Sequence, residues 1–534
     1  MNILFQRLFP TKNITRELTA GALLFLFFSI PLFLTLPDYG ITFDEPIYME
    51  ATRNVRTWLS LDWPNLLNRE TIDQYWKTDS LRNVHPSGVK WLYLAAQKII
   101  FWEKDPYTQN RLFNILLLSL SFVLFLRWSL GPSFFHETLG ILVLLSIPRF
   151  FAHSHFAATD IPMTALLMLF VMVLGKSFTP GWFYLSGIIL GFLASIKITS
   201  LLIALPVLLL PVAWSGQNRR KALFSACRIC FLGAVAFYIL NPDWWFSPLT
   251  RGTEFLAQTS TRRTWAPFTV YFAGDFYAYR GPFYAVAAMF LITTPLLHLL
   301  FLFTGLTFSF VGGERSYKMI LILSCLLLPF LITALPLSPT NDGIRYVLPA
   351  FPFAACIMVR GLIRCWRWVT TRLVSFPGTA VRAVFAAGCL LLLGFDVYET
   401  ARLPPFELSY YNRMIGGLPG ALRNGYETTY WWEIFNNVNL REVNNRTAGR
   451  KVYFPLAPTD LFFKDMGEKI AFVPVVDDHN ADFMLILGRP YVTFWEKKTL
   501  VSFAAEGKMI KPLWEISVDS VPLLRLYRIL AKDG

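Results

Sequence analysis

The chain alternates long apolar runs with short polar connections, and runs of that length predict helices that cross a lipid bilayer. Residues 18–36 form the first run, and others lie at about 111–130, 137–153, 161–175, 181–196, 198–214, 222–240, 283–305, 317–336, 345–361 and 381–398. The expected total is about eleven transmembrane helices. Arg7, Lys12 and Arg16 precede the first run, which favours a cytoplasmic N-terminus. No small-x-small cleavage site follows it, so the run reads as an anchor rather than a signal peptide. Basic residues then fall in alternate connections: Lys176, the run Arg219-Arg220-Lys221, Arg315 with Lys318, and the series Arg360, Arg364, Arg367 and Arg372. This positive-inside alternation places three segments on the far side of the membrane: the loops 37–110 and 242–282, and everything from Glu399 onward. Tryptophans crowd the two loops (Trp58, Trp63, Trp76, Trp91, Trp102, Trp244, Trp245, Trp265), as expected of amphipathic segments lying in the interface.

Composition divides the chain in two. Of 534 residues, 54% are hydrophobic and 16% charged, too few charges to coat soluble cores of this length. Charged residues make up about 13% through residue 398 and about 24% after it, the second being an ordinary soluble value. The expected organisation is a polytopic α-helical membrane domain over 1–398 and a C-terminal extracytoplasmic α/β domain over 399–534. Strand-like runs in the latter are 451–454, 471–476, 483–487, 514–518 and 523–527. The net charge of +14 comes from clusters between apolar runs, where it orients helices, so nucleic acid is not an expected partner. All six cysteines fall in or beside apolar segments, and Cys227-x-x-Cys230 has no second pair, which favours packing over metal or redox chemistry.

Candidate chemistry gathers on the far-side face. The first loop opens with Phe43-Asp44-Glu45-Pro46; two adjacent carboxylates there can simply start a solvated helix. Asp160, before Ile161-Pro162, can likewise be a helix cap, but it shares a membrane face with Asp44 and so becomes a candidate partner. Lys197, Arg280 and Arg345 lie at helix ends on that same face. Any one of them can snorkel, whereas three converging with carboxylates point to an anionic ligand, phosphate being the usual one for Arg and Lys. An acid beside a bound phosphate at a membrane surface suggests group transfer from a lipid carrier. No Walker loop or dinucleotide fingerprint is present, and the histidines make no zinc-enzyme motif, so no metal ligands are assigned.

Taken in order, these residues resemble the protein O-mannosyltransferase family (glycosyltransferase family 39) and its bacterial relatives in the GT-C class of polyprenyl-phosphate-sugar glycosyltransferases. Phe43-Asp44-Glu45 looks like the family's acidic pair. His85-Pro86-Ser87-Gly88-Val89-Lys90 is similar to its His-Pro-Pro-x-x-Lys motif, with Ser87 in place of the second proline. The stretches from His153 to Pro162, Gly191 to Lys197, Asn241 to Trp245, Arg345 to Pro349 and Pro405 to Asn412 also look like those of bacterial members. The resemblance implies a GT-C-like membrane domain and transfer of a hexose or pentose from a polyprenyl-phosphate carrier to a lipid, glycan or protein acceptor. It implies Asp44 as catalytic base, with Glu45 and Asp160 in support, and His85, Lys90 and His153 shaping the site. Lys197, Arg280 and Arg345 are the expected phosphate-binding cations. A divalent cation stays open as a cofactor. Loop 242–282 is too short for the β-trefoil inserted in eukaryotic members, which leaves the acceptor open. The expected location is the bacterial inner membrane.

A lipid-linked sugar flippase or transporter is the competing class. It would be expected to show related halves and charges near the bilayer midplane. Here the ionisable groups gather on one face, and the long first loop has no counterpart in the second half.

Overall fold

A computed structural model describes residues 14–77, 85–175, 181–214, 218–261, 269–311, 316–372, 378–455, 460–475, 480–489 and 508–531. Arg7, Lys12, Lys176, Trp265 and Arg315 lie outside the described residues. Helix α1 (Ile14–Thr35) is apolar all round; Leu24, Phe28 and Leu32 pack inward, while Leu23, Leu26 and Ile30 stay exposed, as on a helix facing lipid. After it, α2 (Glu45–Leu59) and α3 (Gly88–Ile99) lie in the first loop. Trp58, Trp76 and Trp91 of this loop meet Trp245 of the second, edge-on or tilted, around Val55, Ile72 and Leu94, an aromatic cluster separate from the main core. Asp105 caps α4 (Pro106–Leu130), its Oδ2 accepting from the Thr108 amide at 3.0 Å.

The expected span 137–153 is instead two helices, α5 (Phe134–Leu145) and α6 (Pro148–His153). Pro148 has no N–H to continue the ladder and forces Ile147 into an extended conformation. The freed carbonyls find distant partners: His298 Nε2 lies 2.9 Å from Val143 O, and Thr400 donates to Ser146 O at 3.1 Å. Helices α7 (Asp160–Leu174), α8 (Trp182–Ile196), α9 (Leu201–Trp214) and α10 (Arg219–Leu240) follow. The expected span 283–305 also breaks, into α11 (Ala285–Thr293) and α12 (Leu296–Val311), bent by 118° at Thr294-Pro295. Asn412 closes that wound, donating from Nδ2 to Leu291 O and Thr294 O and from its amide to Ile292 O. Helices α13 (Tyr317–Ala334), α14 (Phe351–Arg372) and α15 (Gly378–Ala401) complete the helical part.

Five described helices are long and apolar enough to cross a membrane, or six if the bent pair counts as one span. The expected eleven is not reached by that measure, because the apolar helices Phe134–Leu145, Asp160–Leu174, Trp182–Ile196 and Ile198–Trp214 are shorter. At one end of the bundle, Lys318 and Arg360 donate to Trp128 O and Ser129 O in the last turn of α4, and Arg127 pairs with Glu17 and Glu137. Cations at a helix C-terminus satisfy its orphan carbonyls and oppose its dipole.

The remaining elements are β-structure. The hairpin β1 (Thr269–Phe272) and β2 (Asp275–Ala278) lies in the second loop. The C-terminal sheet contains β3 (Lys451–Tyr453), β4 (Val473–Val475), β5 (Phe483–Leu487), β6 (Lys508–Val518) and β7 (Val521–Ala531) in the order β4-β3-β5-β7-β6. Strand β3 is parallel to β4 and β5, whereas β7 is antiparallel to β5 and β6. Every residue of β5 is buried, as its unbroken apolar run Phe-Met-Leu-Ile-Leu requires of a strand covered on both faces. Each strand-like run in the sequence falls on one of these strands. The last two run longer than expected because Asp519 and Ser520, both with positive φ, close them into a tight hairpin. Between α15 and the sheet, residues 403–436 thread back among the helices, and one continuous core joins the two parts.

Candidate functional site

Four chain segments that are distant in sequence meet at the end of the bundle opposite Lys318 and Arg360. Arg345, 8% exposed, begins the turn that leads into α14. Its guanidinium holds three carboxylates: Nη2 lies 2.5 Å from Asp44 Oδ2, Nε 2.8 Å from Asp160 Oδ2, and Nη1 3.2 Å from Asp342 Oδ2. Lys197, at the end of α8, binds the other oxygen of Asp160 at 2.8 Å. Asp160 thus has both oxygens occupied by cations. Asp44 has Oδ2 held and, among the described residues, no partner for Oδ1, and it is the most exposed of the three carboxylates, at 19%. Although Asp44 occupies the N-cap position of α2, its side chain makes no capping hydrogen bond, and neither does that of Thr159 before Asp160. The capping reading therefore does not account for either aspartate.

Glu45 points the other way. Its carboxylate accepts from Arg111 Nε at 2.7 Å and Nη2 at 2.6 Å, from the Thr42 amide and hydroxyl, and from the Ala157 amide. With both oxygens saturated and no exposure, Glu45 cannot meet a substrate; it anchors the turn that presents Asp44. Glu45, expected in support of Asp44, thus stands behind it as an anchor of the turn and not beside it in the site. Arg280 also stands apart, donating to Gly281 O and Ala334 O rather than to the carboxylate cluster. Lys90 lies buried with Nζ 5.6 Å from the Trp76 ring, in the aromatic cluster of the first loop.

His85 stacks on Tyr48, which lies one turn beyond Asp44. Burial, with the Asp44 charge adding to it, pushes the Tyr48 phenol well above its ordinary value, so it remains a hydrogen-bond donor. The substitution at Ser87 has a use: its Oγ lies 2.6 Å from both Leu240 O and Asn241 Oδ1, and its amide donates to that same Oδ1 at 2.9 Å. A proline could make neither bond. Asn241 in turn donates to Ser195 Oγ, two residues before Lys197. Gly88 completes the joint, since a Cβ there would stand 2.6 Å from the Ser195 carbonyl carbon. The His85 and Asn241 motifs thus lock α3 against the end of α8 and set the position of Lys197.

Three participants carried no signal in the sequence reading. Asp342 sits in the turn Asn341-Asp342-Gly343 at φ 62°, where an Asp-Gly pair tolerates the left-handed conformation. Burial, reinforced by Asp44, raises its carboxyl above the ordinary range, with Arg345 opposing. Trp431 lays its ring 4.2 Å from Arg345 Cζ, a cation–π contact that supports the guanidinium plane. Trp431 and Trp432 both have positive φ, 79° and 66°, a conformation that costs about 1–3 kcal/mol each and is held here by the Phe43 amide donating to Trp431 O. His153 bonds Tyr430 across the same segment, Nε2 to hydroxyl at 2.9 Å. Arg149 is the third, a buried cation in an apolar run. Among the described residues, no group of three or more His, Cys, Asp or Glu converges as a metal site.

No protein-family model matches the sequence, and no curated protein matches it by sequence. By structure, the chain is similar to ArnT from Cupriavidus metallidurans in the apo state, with a TM-score of 0.50 and 14% identity over 95% of this chain and 98% of that one. It is also similar to the archaeal oligosaccharyltransferase AglB from Archaeoglobus fulgidus in complex with an inhibitory peptide and a dolichol-phosphate. There the TM-score is 0.53, at 10% identity over 88% of this chain and 69% of the other. These likenesses show the fold alone: a GT-C-like, largely helical fold with a C-terminal sheet region.

Proposed function

We propose that the chain is an integral-membrane glycosyltransferase that moves a hexose or pentose from a polyprenyl-phosphate carrier to an acceptor on the extracytoplasmic face. The observation that carries this reading is Asp44, a partly exposed carboxylate with one oxygen held by Arg345 and no partner for the other among the described residues, on a GT-C fold. That AglB is seen with a dolichol-phosphate supports a lipid-phosphate donor. In the proposed step Asp44 Oδ1 takes the proton of the acceptor hydroxyl or amine as that atom attacks the anomeric carbon. The bond from that carbon to the phosphate oxygen breaks, and the electron pair leaves on the polyprenyl phosphate. A single displacement inverts the anomeric configuration. Arg345 and Lys197, fixed by Asp160 and Trp431, receive the charge that builds on the leaving phosphate.

In this reading residues 1–398 carry the chemistry, and 399–534 cover it as a scaffold, in a bacterial inner membrane with the N-terminus cytoplasmic. The test mixes the purified full chain with a polyprenyl-phosphate sugar and follows release of the free carrier phosphate. Release that depends on acceptor and vanishes in Asp44→Asn is the expected result. Movement of the intact lipid-linked sugar across the bilayer without its cleavage would assign the chain to the transporters instead.

A further inference from the structure

Arg149 follows Pro148 at the start of α6 and is 1% exposed. Its Nε donates to Tyr410 O at 3.2 Å and its guanidinium approaches the Tyr411 hydroxyl, but among the described residues neither Nη1 nor Nη2 has an acceptor in hydrogen-bond geometry. The rings of Tyr411 and Tyr430 lie 4.6 and 5.6 Å from its Cζ. Among the described residues, no carboxylate comes within ion-pair distance of it. Its guanidinium lines a recess of about 530 Å³, the part open to solvent included, between the β1–β2 hairpin, the turn 340–343 and the C-terminal residues Tyr411, Glu427 and Arg489. Nη1 faces Gly343, where a Cβ would come within 3.2 Å of it.

The other charges around this recess are matched. Arg489 Nε lies 3.2 Å from Glu427 Oε2, and Asp342 is held by Arg345. Among the described residues, Arg149 alone lines it without a carboxylate in ion-pair contact, Glu433 acting on it only from a longer range. Two ring faces offset only part of what it costs to take a cation out of water, so the stacking does not explain the burial. The imbalance is removed by an anion arriving from outside. The recess touches the catalytic cluster through Asp342, and most of its walls come from loops and the C-terminal segment rather than from lipid-facing helix surfaces. A group entering here comes from the aqueous side, unlike a polyprenyl chain.

We propose that Arg149 binds a negatively charged group of the acceptor, a carboxylate or a phosphate carried close to the atom that is glycosylated. This rests on the transfer reading above and narrows it: the acceptor is acidic, and a neutral one leaves Arg149 uncompensated. The guanidinium is a positioning group here, with Nη1 and Nη2 free for a two-pronged contact.

The test uses the full chain in lipid nanodiscs and four soluble probes: glucuronate, glycerol 1-phosphate, and their neutral counterparts glucose and glycerol. Polyprenyl phosphate is titrated separately. Wild-type protein is expected to bind one or both anionic probes and neither neutral one, the two anionic arms telling carboxylate from phosphate. Arg149→Gln is expected to weaken anion binding about tenfold or more and leave polyprenyl-phosphate affinity within about twofold. Arg149→Lys should restore part of the loss. Anion binding unchanged in Arg149→Gln overturns the proposal, and so does a loss confined to polyprenyl phosphate, which would make the recess part of the donor site. Should Arg149→Gln not fold, a structure of the wild-type chain with the bound probe decides the matter: density beside Nη1 and Nη2 supports it, and density elsewhere overturns it. If polyprenyl phosphate fails to bind the wild type, the transfer reading falls on its own, whatever the anionic probes do.

Discussion

The two ends of the helix bundle both carry buried charge, and they use it differently. At one end Lys318 and Arg360 are spent on the carbonyls that end α4, and Arg127 on Glu17 and on Glu137, whose second oxygen has no partner among the described residues but is sealed from solvent. At the other end Arg345 gathers Asp44, Asp160 and Asp342, and one carboxylate oxygen of Asp44 is left over. Closed charge is architecture; charge with an unfilled valence is where a reactant can be received. The contrast repeats on a smaller scale between neighbours, because Glu45 is saturated by Arg111 and three other donors while Asp44 is not.

Substituting across this contrast gives the largest effect at Asp44. Asp44→Asn is expected to lower the transfer rate about 10²–10⁴-fold without changing the melting temperature, as measured by carrier release and thermal unfolding. A substantial loss of stability would place Asp44 with the closed charges. Glu45→Gln should do the reverse, leaving Arg111 buried beside half of its partner and costing about 3–5 kcal/mol of stability. An unchanged melting temperature for that variant would break the distinction between neighbours. Arg345→Ala and Arg360→Ala form the matched pair for the two ends. The first should weaken binding of polyprenyl phosphate about tenfold to a hundredfold, and the second should leave donor affinity alone. Equal effects would erase the difference between the ends.

The last effect is one of pH, and it tests a closed group near the open ones. Burial pushes the carboxyls of Glu407 and Glu433 up to about 8, although Tyr39 donates to the first at 2.5 Å and Thr429 to the second at 2.6 Å. In the unfolded chain both ionise near the ordinary glutamate value of about 4.3. Between that value and about 8 the folded state holds the extra protons, so stability is full at low pH, falls as pH rises through this window and levels off above it. Melting temperature measured from about pH 5 to pH 9 should show that slope, and Glu407→Gln should flatten it.

Much of this arrangement was legible in the residues. Apolar length and basic alternation located most helices, and the same register put Asp44, Asp160, Lys197 and Arg345 on one face, where the structure joins them through direct bonds. The two helix breaks escaped because a proline within a long apolar run is compatible with a continuous transmembrane helix. Pro31 indeed lies inside α1 without ending it. What decides the outcome is whether a distant side chain takes the freed carbonyls, as His298, Thr400 and Asn412 do. Asp342, Trp431 and Arg149 escaped for a related reason: their meaning lies in partners far away along the chain, and hydropathy does not encode partners. How Glu45 supports Asp44 could not be read from adjacency, since one step along the backbone at a helix start is enough to turn two carboxylates to opposite sides.

Asn412 also imposes an order of events on biosynthesis. The carbonyls it caps belong to residues made 118 to 121 positions earlier, so a ribosome delivers the elbow between α11 and α12 well before the side chain that seals it. Until then the carbonyls opened at Pro295 must be met by water or another partner, and their seal is added only once the segment following α15 has been released. A chain stopped at residue 401 would be left without that seal.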